Sequence, residues 1–207
     1  MRIKVFQALY SYYQDDRENL KKHEETMFHA PEDAYLLYYF LLAFPSEFHF
    51  FLKKEMDIQT SKHFPDKELM KLISTLSKNK IFVRFEQNEA VREVIRTHKI
   101  KWSGSDELFK NVFTMIRQST FWNEYYKNEV HTFVEDRKLI MDIYEMMFCD
   151  MELFDQYIEE RFINWEDDQL TSALTVIRAV KKMKEAQPSE LVEKVSFRNK
   201  EDRDFMK

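Results

Sequence analysis

Apolar positions recur three and four residues apart along almost the whole chain, which is the period of an amphipathic helix. Ile3, Phe6, Leu9, Tyr10 and Tyr13 fall on one face of a helix over roughly Arg2 to Gln14. The polar stretch Asp15 to Glu25 reads as a loop or a short polar helix. Pro31 suits the first position of a following helix, where its missing N–H costs nothing. That helix carries Tyr35, Leu36, Tyr39, Phe40, Leu42 and Ala43 inward, and Pro45 is expected to kink or end it.

Pro65 and Asp66 open another helix with Leu69, Leu72, Ile73 and Leu76 on its face. Ile81 to Phe85 reads as a short extended piece. Ala90, Val91, Val94 and Ile95 mark a short helix, and Trp102 to Asp106 a turn. Ser105 is the expected N-cap of a helix that buries Leu108, Val112, Phe113 and Ile116. From Thr132 to Phe148 the helical pattern is strong, through Phe133, Ile140, Ile143, Tyr144 and Met147. A shorter piece, Glu152 to Phe162, follows. Asn164-Trp165-Glu166-Asp167-Asp168 then opens a long helix to about Lys184, with Leu170, Ala173, Leu174, Ile177 and Val180 inward. The pattern predicts an all-α multi-helix bundle, treated as one domain over residues 1–207.

The chain has 207 residues, enough to bury a full hydrophobic core without disulfides or metal. Its one cysteine, Cys149, cannot form an internal disulfide and is read as a small core residue, which suits a reducing, cytoplasmic setting. The longest apolar run, Ala34 to Phe44, is too short to span a bilayer, which needs about 20 residues. A buried helix is the expectation there, with no membrane partner. The net charge of −5, with acids and bases intermixed, excludes a globally basic nucleic-acid binder. RNA contact would have to come from a local patch.

A single glycine, Gly104, rules out phosphate-cradling loops, which need several. The six histidines, His23, His29, His49, His63, His98 and His131, show no metal-ligand spacing, and neither H-E-x-x-H nor E-x-x-H occurs. Glu166, Asp167 and Asp168 sit where a helix dipole favours acids. No catalytic set, metal site or cofactor site emerges, so a non-enzyme is expected. Two basic stretches remain, Lys78 to Lys101 and Arg178 to Lys200. Each is either a solvated helix face or a phosphate-facing patch.

The opening helix stands apart. Arg2-Ile3-Lys4-Val5-Phe6-Gln7-Ala8-Leu9-Tyr10-Ser11 resembles the first helix of the NusB transcription antitermination factors. In that family an arginine-rich N-terminus runs into a Gln-Ala-Leu-Tyr helix, which Gln7-Ala8-Leu9-Tyr10 matches residue for residue. Asn164-Trp165, Leu170 and Ile177-Arg178-Ala179 are similar to a second helix of the same fold. The whole chain looks most like the enlarged Bacteroidetes-type proteins. On that resemblance, residues 1–14 are the first helix, 15–160 a large helical insertion, and 161–207 a family helix with a charged tail. The basic run before the helix is reduced to Arg2 and Lys4. Asn199 to Phe205 resembles the start of a further helix, so a C-terminally short form is expected.

The resemblance implies a non-enzymatic protein that binds boxA-type RNA together with a small-subunit ribosomal protein, NusE. Through that complex it would act indirectly on RNA polymerase. Arg2 and Lys4 would supply charge to phosphates, Gln7 a hydrogen bond to a base edge, and Tyr10 a stacking surface. Tyr10 also lies on the apolar face, so core and RNA contact both stay open for it. Leu9 is read as core. The alternative is a helical protein–protein interaction module in which the insertion is the functional part and RNA is not bound.

Overall fold

A single 42-residue helix stands where the sequence suggests a loop or short polar helix, a proline start and a proline kink or end. The computed structural model describes residues 2–15, 17, 19–162, 165–185 and 191–192, with only the backbone of residues 2–4, 26–33 and 165–167. Among these residues the regular elements are all helices. They are α1 (Arg2–Gln14), α2 (Leu20–Ser61), α3 (Lys67–Ser77), α4 (Lys80–Gln87), α5 (Glu89–Thr97), α6 (Asp106–Gln118), α7 (Thr120–Tyr126), α8 (Phe133–Asp150), α9 (Glu152–Glu159) and α10 (Trp165–Lys182). The protein is thus an all-α multi-helix bundle.

Helix α2 corrects the expected start at Pro31 and the reading of Pro45 as a helix end. It begins inside the polar stretch, at Leu20, and runs through both Pro31 and Pro45. At 1.5 Å per residue it is about 63 Å long. Tertiary structure explains how Pro45 is tolerated. A proline leaves the carbonyl four residues earlier without its helical donor. That carbonyl belongs to Leu41, and the buried Tyr144 hydroxyl of α8 donates to it at 2.9 Å. The orphan acceptor is satisfied from outside the helix.

From Leu37 to Phe44 every residue of α2 is buried, on all sides of the helix. A helix apolar all round belongs at the centre of a fold, and α3, α4, α5, α6 and α10 all pack on this one. By length and composition the segment Ala34–Ser61 is apolar enough to cross a bilayer, yet 72% of its most apolar window is buried within the protein. Aromatic rings fill the centre. Trp102 stacks on Phe40 at 4.1 Å and on Tyr157 at 5.5 Å, and Phe44 meets Tyr144 at 5.6 Å. The Trp102 Nε1 donates to the Phe40 carbonyl at 3.3 Å, so its polar atom is not stranded.

The segment Ile81 to Phe85 is helical rather than extended. Its start is capped twice: the Asn79 side chain accepts from the Ile81 N–H at 2.9 Å, and the Asp136 carboxylate accepts from the Lys80 N–H at 3.0 Å. Ile81, Phe82 and Phe85 then share the buried face. The second cap comes from 56 residues away, so the local pattern does not contain it. Asp136 also accepts from the Tyr125 hydroxyl at 2.6 Å, and Asn79 donates to the Asp136 carbonyl at 3.0 Å. One buried carboxylate therefore ties α4, α7 and α8 together. Burial, and then this hydrogen bond, push the Tyr125 hydroxyl far above its ordinary pKa.

His49 on α2 makes a second polar tie. Its Nε2 lies 3.1 Å from the Ser77 carbonyl and its Nδ1 3.0 Å from the Glu86 carboxylate, which Lys53 also holds at 2.6 Å. Burial and the Lys53 charge hold the His49 pKa below the usual value, against the pull of Glu86 and Ser77.

Several local expectations match. Asp66 caps α3, accepting from the Glu68 and Leu69 N–H groups at 3.0 Å each. Thr132 and Glu135 form a reciprocal capping box at the start of α8. Ser105 stands at the N-cap position of α6 but makes no capping bond; its hydroxyl donates to the Trp102 carbonyl instead. Cys149 is exposed rather than core, because α8 turns it away from the bundle. Leu170 and Leu174 of α10 are 69% and 41% exposed, not inward-facing. Helix α10 instead presses Ala173, Val176, Ala179 and Val180 inward. Val176 and Val180 join the same core as residues of the 15–160 segment.

Candidate nucleic-acid interface

The opening helix forms as the sequence predicts, but its apolar face points the other way. A sharp reversal joins it to α2, through Arg17 and Asn19 in the left-handed region at φ 62° and 55°. Helix α1 folds back on α2 through its half-buried Val5, Ala8 and Tyr12. The contact is anchored at one end. His23 is buried, meets the Tyr12 ring edge-on at 5.9 Å, and has its Nε2 3.1 Å from the Asp15 carboxylate.

The remaining face is open. Phe6, Leu9, Tyr10 and Tyr13 are 69%, 50%, 59% and 60% exposed. Leu9 is therefore not a core residue, and of the two readings of Tyr10 the structure excludes core. The cause is that, among the described residues, α1 packs chiefly on α2, and a single neighbour covers only one side of a helix. The Tyr10 hydroxyl accepts from Gln14 Nε2 at 2.8 Å. The Arg17 guanidinium lies 5.0 Å from the Tyr13 ring centre, a cation–π distance. Gln7 is half-buried. Of Arg2 and Lys4 the helical backbone is described, and their side chains lie outside the described residues.

The two basic stretches fare differently. In the first, the cations are largely committed within the protein. The Arg84 guanidinium donates to the Lys184 and Glu185 carbonyls and covers the Phe133 ring at 4.6 Å. Lys80 reaches the His131 carbonyl at 3.3 Å and Glu185 at 3.5 Å, and Arg96 pairs with Glu93 at 2.8 Å. Arg84 has a further structural role that the sequence reading missed. With Arg137, which donates to the Lys181 and Met183 carbonyls, it closes the carbonyl end of α10. Cations at a helix C-terminus satisfy carbonyls that have no helical donor and complement the dipole. No local pattern in the sequence signals this role, because the carbonyls that the two arginines meet lie 44 to 101 positions away.

In the second stretch, Arg178, Lys181, Lys182 and Lys184 are exposed at the end of α10. Lys194, Arg198 and Lys200 lie outside the described residues. Glu166 and Asp167 stand in the first turn of α10, as a dipole reading requires, though their side chains are not among those described. Among the described residues no group of three or more metal-ligating side chains converges.

Comparison with known proteins adds no relative: no family model matches the chain, and neither a curated protein nor a solved structure is significantly similar to it.

Proposed function

We propose that the protein is an RNA-binding transcription antitermination factor of the NusB type, acting in the cytoplasm with a small-subunit ribosomal protein on boxA-like RNA. The reading rests on the Gln7-Ala8-Leu9-Tyr10 element and on one observation about it. The helix that carries this element keeps three of its four aromatic side chains in solvent, with Phe6, Tyr10 and Tyr13 spaced along a single face. Unstacked RNA bases are bound by such rings, with amides at base edges and cations at phosphates. Tyr10 and Gln7 are the base-contacting residues in this reading, and Arg2 and Lys4 the phosphate-contacting ones. The action on RNA polymerase is indirect, through the complex.

A second reading has its own support. Leu9 and Phe6 make the same face apolar, and a helix stripe of this kind also docks a protein. In that reading the protein is a helical interaction module without RNA binding.

One experiment separates the two. A mobility shift with boxA-like RNA, with and without the ribosomal protein, is expected to show binding that weakens steeply with salt. Replacing Arg2 and Lys4 together by alanine should weaken it about tenfold and lower the salt dependence. Absence of salt-sensitive binding, or an unchanged affinity in the double variant, would sink the RNA reading and leave the protein-docking one.

A further inference from the structure

Away from α1, the corner where α6, α7 and α8 meet carries a groove of about 710 Å³. Its floor is apolar, made by Met115, Phe121 and Met146. Its rim is acidic: Glu124 from α7, and Asp142, Glu145 and Asp150 from α8, with Lys138 as the one cation among the lining residues. Asp142 and Glu145 lie three apart on α8, so they share a face.

Some acids elsewhere in the described structure have defined structural partners. Glu86, Glu93, Glu135 and Asp136 all have hydrogen-bond or ion-pair partners. Asp136 accepts in the core, and Glu135 closes a capping box. The four groove carboxylates make no hydrogen bond or ion pair within the described residues. Asp142 is half-buried among them. Burial raises its carboxyl pKa, Lys138 offsets this in part, and Glu145 and Glu124 raise it further. The groove therefore gathers four carboxylates around an apolar floor, with Lys138 alone among the lining residues to offset them in part.

We infer that this groove docks a lysine- and arginine-bearing amphipathic segment of a partner protein. Charge complementarity chooses this occupant: a cationic flank meets the four carboxylates while one or two aliphatic or aromatic side chains fill the floor. The volume is in the range that takes such an anchor. Methionines at the floor adapt to anchors of different shape. The segment lies along α8, with its cations spaced at helical intervals to meet Asp142 and Glu145. Lys138 repels a cation at one end and so limits the register. The inference goes beyond the RNA reading and does not rest on it, since the groove uses no residue of α1.

The test uses the full chain and a defined probe: a fluorescent 18-residue helical peptide with lysines on one face and leucines on the other. Two control peptides replace leucine by serine, or lysine by glutamate. Anisotropy is expected to show saturable, salt-sensitive binding of the first peptide only, with hydrogen-exchange protection in α6, α7 and α8. The variant Glu124→Gln/Asp142→Asn/Glu145→Gln should bind at least tenfold more weakly. Its melting temperature should be unchanged or higher, because it removes repulsion that the empty groove carries. A merely structural role predicts the opposite, a lower melting temperature. The inference is overturned by no saturable binding, by equal binding of the serine peptide, by protection on α1 instead, by unchanged affinity in the variant, or by a destabilised variant. The variant's boxA-RNA mobility shift should match the parent's, so failure here is distinguishable from failure of the RNA reading.

Discussion

Tyr10 and Tyr144 both belong to helices with aromatic side chains at helical spacing, and their surroundings are opposite. Tyr144 is fully buried on α8, and its hydroxyl donates to the one α2 carbonyl that Pro45 deprives of a donor. Tyr10 is mostly exposed on α1, and its hydroxyl accepts from Gln14, a neighbour on its own helix. The difference extends to the two regions. Around α2, α4 and α8, rings pack from every side and the buried Asp136 and Asn79 are hydrogen-bonded across elements. Among the described residues, helix α1 packs chiefly on α2 and contributes no side chain to the core. Rings enclosed on all sides specify the fold; rings left on one open face are free to specify a ligand.

The sharpest way to test the closed region is at Asp136. Replacing it by alanine strands the Tyr125 hydroxyl and the Lys80 N–H in the interior. Each buried donor left without an acceptor costs about 1–3 kcal/mol, so Asp136→Ala should lose about 3 kcal/mol or more in urea unfolding. A loss under about 1 kcal/mol would mean that water reaches this site, and that the region is not closed.

A smaller effect is expected at Tyr144→Phe, which keeps the ring but removes the donor to Leu41. The loss should be about 1–2 kcal/mol. The cause can be isolated with Pro45→Ala, which returns a helical N–H to the same carbonyl. In the Pro45→Ala background, Tyr144→Phe should cost less than in the parent, by about 0.5–1 kcal/mol on a double-mutant cycle. Additive effects would show that the hydroxyl and the proline are unrelated.

The same contrast explains what the sequence makes legible. Helix content and most of the core follow from local period, as at Leu72, Ile73 and Leu76 or at Ile140, Ile143 and Met147. Helix starts are legible at Asp66 and Thr132 for the same reason, whereas the cap expected of Ser105 does not form. Features decided by distant partners are not legible. Pro45 reads as a kink or end of the helix because Tyr144 is 99 positions away, and α4 reads as extended because one of its caps comes from Asp136. The α1 motif is legible as a resemblance, but its outward aromatic face is not. Periodicity finds the face and cannot say whether a neighbour covers it. Leu170 and Leu174 mislead in the same way. The acidic groove is invisible in sequence, because Glu124, Asp142 and Asp150 are brought together only by the turn from α7 into α8.

The smallest effect on stability is expected where the aromatic content is most conspicuous. Phe6→Ser and Tyr13→Ser truncate rings that are more than half exposed. Solvent-exposed substitutions usually change stability by no more than about 0.5 kcal/mol, so each variant should unfold close to the parent. A ring buried in the core would cost about 3–5 kcal/mol on truncation, so the comparison has wide margins. If either variant instead loses as much as Tyr144→Phe, the α1 face is covered in solution. Sedimentation at several protein concentrations would then show whether a second copy covers it. If stability holds while boxA-RNA binding falls, the open rings serve a ligand and not the fold. That outcome would separate the two roles of aromatic side chains in this protein, which period alone makes look the same.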